Sequence, residues 1–418
     1  MSYPGEWAPT VGSEYALPMA DAASFRAEGD KRLYAELLAE GRVREAIEVV
    51  KSSALEGHVP AVRRALLARS LRLPATVQPE LHAVVASCRE RLGVQDPVEC
   101  YVNPSAEYNA GIFPREDGRL YILFTAALLE AFDRDELRFV VGHELGHHVF
   151  GHHEIPVALL FDQRFPIPPD LALRLTAWQR YAEVSADRAG VACCGSFDGA
   201  SRGLFKLASG LHQAPTNAQI VAFLEQAKEL GAASADTARA HPEEWFSSHP
   251  FSPLRVQAAH LFSRSIFMRD SGEPAARLET GIAALMAMME PGYLHADTEA
   301  AEAMRRLIYA AGLVLLSEDG GVTPEEKRRL DTLLGPGTAP QEFDPRRIVE
   351  LLPERTRAVV ERTGIPQRAH VLRDLATLAL ADGKVSSDEQ RFLTKLAADL
   401  GVDGEVVTDA LSQRIELD

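Results

Sequence analysis

The sequence predicts an α+β protein that is mainly helical, with one small β-sheet in its middle third and an all-helical C-terminal region. Three observations carry this expectation. Residues 133–149 have helical apolar spacing and contain His143-Glu144-x-x-His147. Residues 97–102 and 119–124 alternate like strands, and the second is preceded by the turn dipeptide Asp117-Gly118. Residues 297–418 repeat a helix–turn–helix pattern twice with no strand signal. A chain of 418 residues is long enough for two or three domains.

Within 133–149, Asp133 and Glu136 form an N-terminal cap pattern with an acidic first turn. Leu137, Val140, Val141, Leu145 and Val149 then supply an apolar stripe, and no proline interrupts until Pro156. H-E-x-x-H on a helix puts His143 and His147 one turn apart on one face, where both can bind one Zn²⁺ and Glu144 stands beside the metal as a base. The plainer alternative is a buried helix with incidental histidines. A catalytic zinc needs a third protein ligand and a position left for water, so a further residue must come from downstream. Glu183 is the best candidate. It lies four residues before Asp187 on a long helical stretch, so both carboxylates face the same way. Glu183 can ligate while Asp187 accepts the free N–H of a ligand histidine. On spacing alone, either carboxylate reads equally as a solvated helix residue. His148, His152 and His153 read as polar-face residues or supports of the site, not as a second metal site.

The remaining elements follow in order. Residues 1–22 are rich in proline, glycine and serine. Residues 23–73 read as short amphipathic helices broken at Gly41 and at 57–60, and residues 79–92 as another helix. Four prolines make 155–169 a loop, after which helices run to about 230. Residues 268–296 resemble a linker with one helix in it. The expected division is an N-terminal helical extension over 1–75, a catalytic unit over 76–267, a linker over 268–296 and a helical unit over 297–418.

The net charge of −16 argues against a nucleic-acid partner, because no basic patch exists to neutralise phosphates. Cys88, Cys100, Cys193 and Cys194 form no C-x-x-C pair, so a reducing compartment is expected. The first twenty residues lack a basic region followed by an apolar run, and no stretch approaches 18 apolar residues. The expectation is a soluble, cytoplasmic protein without a transmembrane segment.

H-E-x-x-H followed by Glu183-x-x-Ala186-Asp187 resembles the HtpX and CAAX-prenyl-protease family of zinc metallopeptidases, a branch of the gluzincins. The likeness extends upstream through Asn109-Ala110, a hairpin ending in Arg119-Leu120-Tyr121-Ile122, Leu128-Leu129 and Asp135-Glu136-Leu137. Downstream it reaches Ser248-His249-Pro250 with Arg255 six residues after the histidine. His241-Pro242 lacks that arginine, Ser247 standing in its place. The resemblance covers about residues 79–262 and implies a zincin-like metallopeptidase domain with one Zn²⁺ per chain. It implies His143, His147 and Glu183 as ligands, Glu144 as general base and His249 as oxyanion stabiliser. It further implies Arg255 as a support of the site and a protein or peptide substrate on an edge strand near Asn109 and Ala110. Many family members carry transmembrane helices, for which this chain has no candidate.

In the C-terminal region, residues 319–326 align with residues 382–389, each with Asp-Gly followed by a capping box completed by Glu326 or Glu389. This resembles the TerB domain of tellurite-resistance proteins, an all-helical module. The D-G-x-V-S-x-x-E segment also mimics half of a calcium loop, but Leu378 and Leu380 stand where the first acidic ligands would be. Two functions are expected from the sequence. One is a zinc endopeptidase with an appended helical module. The other is a non-catalytic stress-response scaffold with a structural zinc, acting through the TerB-like part. The intact Glu144 favours the first.

Overall fold

A computed structural model describes residues 21–55, 62–162, 165, 167, 169–236, 249–286, 288–289, 298–317, 350–379 and 385–412. The segment 319–326, the pair His241-Pro242 and most of residues 1–22 therefore lie outside the described residues.

A short 3₁₀ turn, Ala22–Phe25, leads into α1 (Glu28–Ala39), α2 (Gly41–Leu55) and α3 (Val62–Arg69). Strand β1 (Leu71–Arg72) and helix α4 (Pro79–Leu92) precede β2 (Val98–Asn103), β3 (Ala110–Glu116) and β4 (Arg119–Thr125). The sheet order is β1-β2-β4-β3, with β2 and β4 parallel and the other pairs antiparallel. Strand β3 is therefore an end strand. Asp117 and Gly118 join β3 to β4 with φ of 49° and 69°, the pair of positive values that a type I′ hairpin turn requires. The two-residue β1 has no signal in the sequence, because its place is set by pairing with β2 and not by its own pattern.

After α5 (Ala126–Ala131) comes α6 (Arg134–Val149), the helix that carries H-E-x-x-H. Its capping box is formed as expected: the Asp133 side chain accepts from the Asp135 and Glu136 amides, and the Glu136 carboxylate accepts from the Asp133 amide. Glu136 is fully buried, and Lys206 and Arg202 neutralise it at 2.7 and 3.3 Å. A short α7 (Val157–Leu160) interrupts the expected loop. Helix α8 (Pro169–Cys194) then crosses α6, followed by α9 (Phe197–Ser209), α10 (Asn217–Asp236), α11 (Ser252–Ser263) and α12 (Ala275–Met286).

One hydrophobic core runs from Ala22 to Met289 and includes Phe25, Leu33 and Leu37 of the N-terminal segment. Complete burial of such side chains contributes about 1.5–3 kcal/mol each. Helix α12 falls in the stretch expected as a linker, yet it sends Leu278, Ile282 and Met286 into this core. Their four-residue spacing is a single helical stripe. A second core, Ala301 to Val407, is built by α13 (Glu299–Ser317), α14 (Leu352–Arg362), α15 (Ile365–Ala379), α16 (Ser387–Leu400) and α17 (Glu405–Ser412). Ser386 and Glu389 form the expected capping box of α16. Helix α15 packs against α8 and α10, so the two cores touch through helices. Among the described residues no helix is long and apolar enough to cross a membrane, and all four cysteines are free.

Candidate metal centre

The approach of α6 to α8 builds the site. Gly142 and Gly146 lie on the α6 face that meets α8. A Cβ at Gly142 would stand 2.6 Å from Cys193 Cβ, and one at Gly146 would stand 2.8 Å from Ala189 Cβ and 3.1 Å from Ala186 Cα. Gly190 on α8 is equally tight against the Phe139 carbonyl, at 2.7 Å. Glycine within a helix costs about 1 kcal/mol relative to alanine. Here it lets the two backbones close until the α6 histidines reach the α8 carboxylates.

His143 Nε2 and His147 Nε2 are 3.1 Å apart. Glu183 places one carboxylate oxygen 3.5 Å from His143 Nε2 and the other 3.4 Å from His147 Nε2. A tetrahedral zinc with bonds of about 2.0–2.1 Å has ligand–ligand edges of about 3.3 Å. The imidazole pair and the nearest approach of Glu183 to each ring lie near that length, the two approaches being made by different oxygens, and one ligand atom from each residue lies within 4.8 Å of the others. Glu183 is buried, and its Oε2 has no hydrogen-bond partner among the described residues. This oxygen has an ion-pair neighbour, Arg255, at 3.4 Å but no hydrogen bond, so its lone pairs are left for a metal held with the two imidazoles. The donor set therefore fits a zinc ion, and among the described residues it is the one group of three or more ligand-type side chains close enough to share a metal.

The carboxylate of Asp187 sits behind His143. His143 Nδ1 donates to Asp187 Oδ1 at 2.9 Å, which leaves Nε2 as the lone pair facing Glu183. Arg255, on α11, donates to both Asp187 oxygens at 2.9 and 2.7 Å and lies 3.4 Å from Glu183 Oε2. Burial alone would raise the Asp187 pKa, but Arg255 and His143 outweigh it and hold the carboxyl below its usual range. Burial also opposes the charge on Glu183, yet His143, His147 and Arg255 keep that carboxyl well below its usual range.

Glu144 is buried at the wall of the cleft, and its Oε2 accepts from the Ile112 amide of the end strand at 2.8 Å. The Asn109 amide donates to Thr125 Oγ1 at 3.0 Å, and the Asn109 carbonyl accepts from the Thr125 amide, which fixes the entry to β3. A cleft of about 400 Å³ is lined by Asn109 at the entry to β3, by β3 residues including Ala110, by the three ligand-type residues, and by Glu144, His249 and Arg255. His249 is exposed at its mouth, with Nε2 3.7 Å from Glu183 Oε1. Eight of the nine expected site residues thus line one cavity, and Asp187 stands behind it, against His143 and Arg255.

The three further histidines take separate places. His148 lies 3.6 Å from Asp96 on the far side of α6. His153 lines the cleft, and burial pushes its pKa down to about 4, with the neighbouring histidines adding to the shift. His152 is buried and bonds His147 Nδ1 at 2.8 Å through its own Nδ1. Its Nε2 reaches Asp30 Oδ2 at 2.9 Å. The sequence reading missed Asp30 because 122 residues separate it from His152 and no local pattern links them. It also missed the cleft-lining Phe139 and Leu207, whose apolar character alone marks only core.

Comparison with known proteins agrees with this geometry. The model of peptidase family M48 matches residues 75–164 and 165–261, and that of tellurite resistance protein TerB matches residues 306–411. The chain thus joins a stretch similar to peptidase family M48 to one similar to TerB. The plastoglobule-localized metallopeptidase 48, chloroplastic, of Arabidopsis thaliana is 29% identical over 209 residues, covering 45% of this chain and 58% of that protein. Protease HtpX homologs of a Sulfurihydrogenibium species and of Thermococcus kodakarensis are each 38% identical over 69 residues, covering 16% of this chain and 23% of the relative. The chain thus spans little more than half of one such relative and under a quarter of the other two. No solved structure matches the chain. The nine candidate site residues lie within the stretch matched by the M48 model, whereas Asp30 lies outside the matched residues.

Proposed function

We propose that the M48-like stretch is a zinc-dependent endopeptidase. The observation that carries this reading is the trio His143, His147 and Glu183, whose ligand atoms lie close enough to share one metal ion, with the Glu144 carboxylate at the same cleft and not among them. Three protein ligands leave a coordination position for water, which a structural zinc site does not. A zinc ion bound there would polarise the scissile carbonyl and lower the pKa of the attacking water. The chain's own groups do the rest. Glu144, oriented by the Ile112 amide through one oxygen, takes the water's proton with the other and passes it to the leaving amine. His249 is placed at the mouth to donate to the developing oxyanion. Arg255 and Asp187 hold His143 in the tautomer that offers Nε2.

The substrate is an extended peptide laid along β3, the open end of the sheet, where main-chain bonding positions a chain without demanding one side chain. Phe139, Val140 and Leu207 make one wall of the cleft apolar. The test is cleavage of an unfolded protein such as casein by the full chain. Activity should vanish with a zinc chelator and return with added zinc. Chelator-resistant cleavage, or none with zinc bound, refutes the reading.

A further inference from the structure

We propose that Asp30, on the first helix and outside the M48-like stretch, is a positioning residue for the metal centre that sets the tautomer of His147 through His152. This rests on the reading that His147 binds a metal. The geometry is a chain of three links. Asp30 is fully buried and receives four hydrogen bonds: from Arg26 Nε and Nη2 at 2.9 Å each, from Trp178 Nε1 at 3.0 Å and from His152 Nε2 at 2.9 Å. A carboxylate so surrounded by donors is an acceptor only. His152 Nε2 must therefore carry the proton in the bond to Asp30. In the neutral ring His152 Nδ1 is then a lone pair, and it accepts from His147 Nδ1–H across 2.8 Å. His147 Nε2 is left unprotonated, facing His143 Nε2 and Glu183. His143 obtains the same tautomer directly from Asp187. His147 obtains it from a carboxylate two residues further along the bond chain.

Packing fixes the far end of this relay. The Ala27 amide donates to Ser185 Oγ at 3.0 Å, and Arg188 donates to the Phe25 carbonyl at 3.2 Å, so the segment entering α1 is tied to the helix that carries Glu183. Gly29 permits the contact, since a Cβ there would stand 2.4 Å from the Tyr181 ring. The Trp178 ring lies edge-on to His152 with centroids 5.8 Å apart and limits its rotation. The N-terminal segment is thereby part of the metal centre's support, although it carries none of its ligands.

Two measurements on the full chain test this. Long-range ¹H–¹⁵N NMR of the imidazoles, recorded with and without zinc, should find His152 protonated at Nε2 alone, and His147 protonated at Nδ1 in the zinc-loaded protein. A proton on His152 Nδ1 overturns the proposal, and this readout needs no variant to fold. Zinc affinity by chelator competition is the second measurement. His152→Leu should weaken binding by about 10–100-fold, the usual cost of losing such a partner. His152→Asn, whose carbonyl can accept from His147, should recover most of the loss. Asp30→Asn should cost about tenfold with His152 present and nothing more in a His152→Asn background, because the effect passes through that ring. Equal losses in both backgrounds, or unchanged affinity in folded His152→Leu, contradict it. A wild-type chain that binds no zinc refutes the metal reading instead, and the metal-free spectrum still reports the order of the hydrogen bonds.

Discussion

His143 Nδ1 donates to Asp187 Oδ1 at 2.9 Å, and Arg255 grips the same carboxylate with two further bonds. The link ties the metal face of α6 to both α8 and α11. Asp187→Ala should therefore retain the fold but bind zinc about 10–100-fold more weakly. Glu183→Ala should strip the metal, since it removes a ligand atom and not a support. Isothermal titration of zinc into each variant checks the order. Equal affinity in Glu183→Ala and the parent places the third ligand elsewhere.

Gly146→Ala tests the seam between α6 and α8. The added methyl would stand 2.8 Å from Ala189 Cβ and 3.1 Å from Ala186 Cα, neither of which can rotate away. Overpacking of this kind costs about 1–3 kcal/mol, against the gain of about 1 kcal/mol that alanine brings to an ordinary helix. The expected outcome is a net loss of stability in chemical denaturation, together with weaker zinc binding. A more stable variant with unaltered zinc affinity would show that the helices have room to spare.

His249→Ala should keep zinc and lower kcat by about 10²–10³, the scale for removing one oxyanion donor. Its exposure at the cleft mouth makes a folding defect an unneeded explanation. Steady-state kinetics with a fluorogenic peptide check it. A change confined to KM would assign His249 to substrate binding.

Burial alone would raise the Asp30 pKa, but hydrogen bonds from His152 and Arg26 outweigh it and hold the carboxyl far below its usual value of 3.8. A depressed carboxyl pKa contributes stability that is complete above the unfolded value and is lost as pH falls toward the folded one. The stability advantage of the parent over Asp30→Asn should thus be constant near neutrality and shrink below about pH 3.8. Denaturant melts at several pH values measure this, and an advantage independent of pH would mean that Asp30 is not charged in the folded protein.

The sequence made the helix of the site legible in detail, because its cap, stripe and ligand spacing are all local. Asp133, Glu136, His143 and His147 needed only a 16-residue helix to be read. The helix carrying Glu183 and Asp187 was legible as a helix, but their partnership with α6 rests on glycines whose role appears only when α8 is in place. Strand β1 and the contact of Asp30 with His152 had no local signal, since both depend on pairing across the fold. Helix α12 was legible as a helix and not as core, because an apolar stripe does not say which surface it meets.

The central claim is that Glu144 does chemistry beside a metal it does not bind. Zinc stoichiometry and casein cleavage, measured together on purified Glu144→Gln, test it most directly. The account predicts one zinc per chain, as in the parent, with peptidase activity abolished. Loss of zinc from the variant, or full activity with zinc retained, would contradict it.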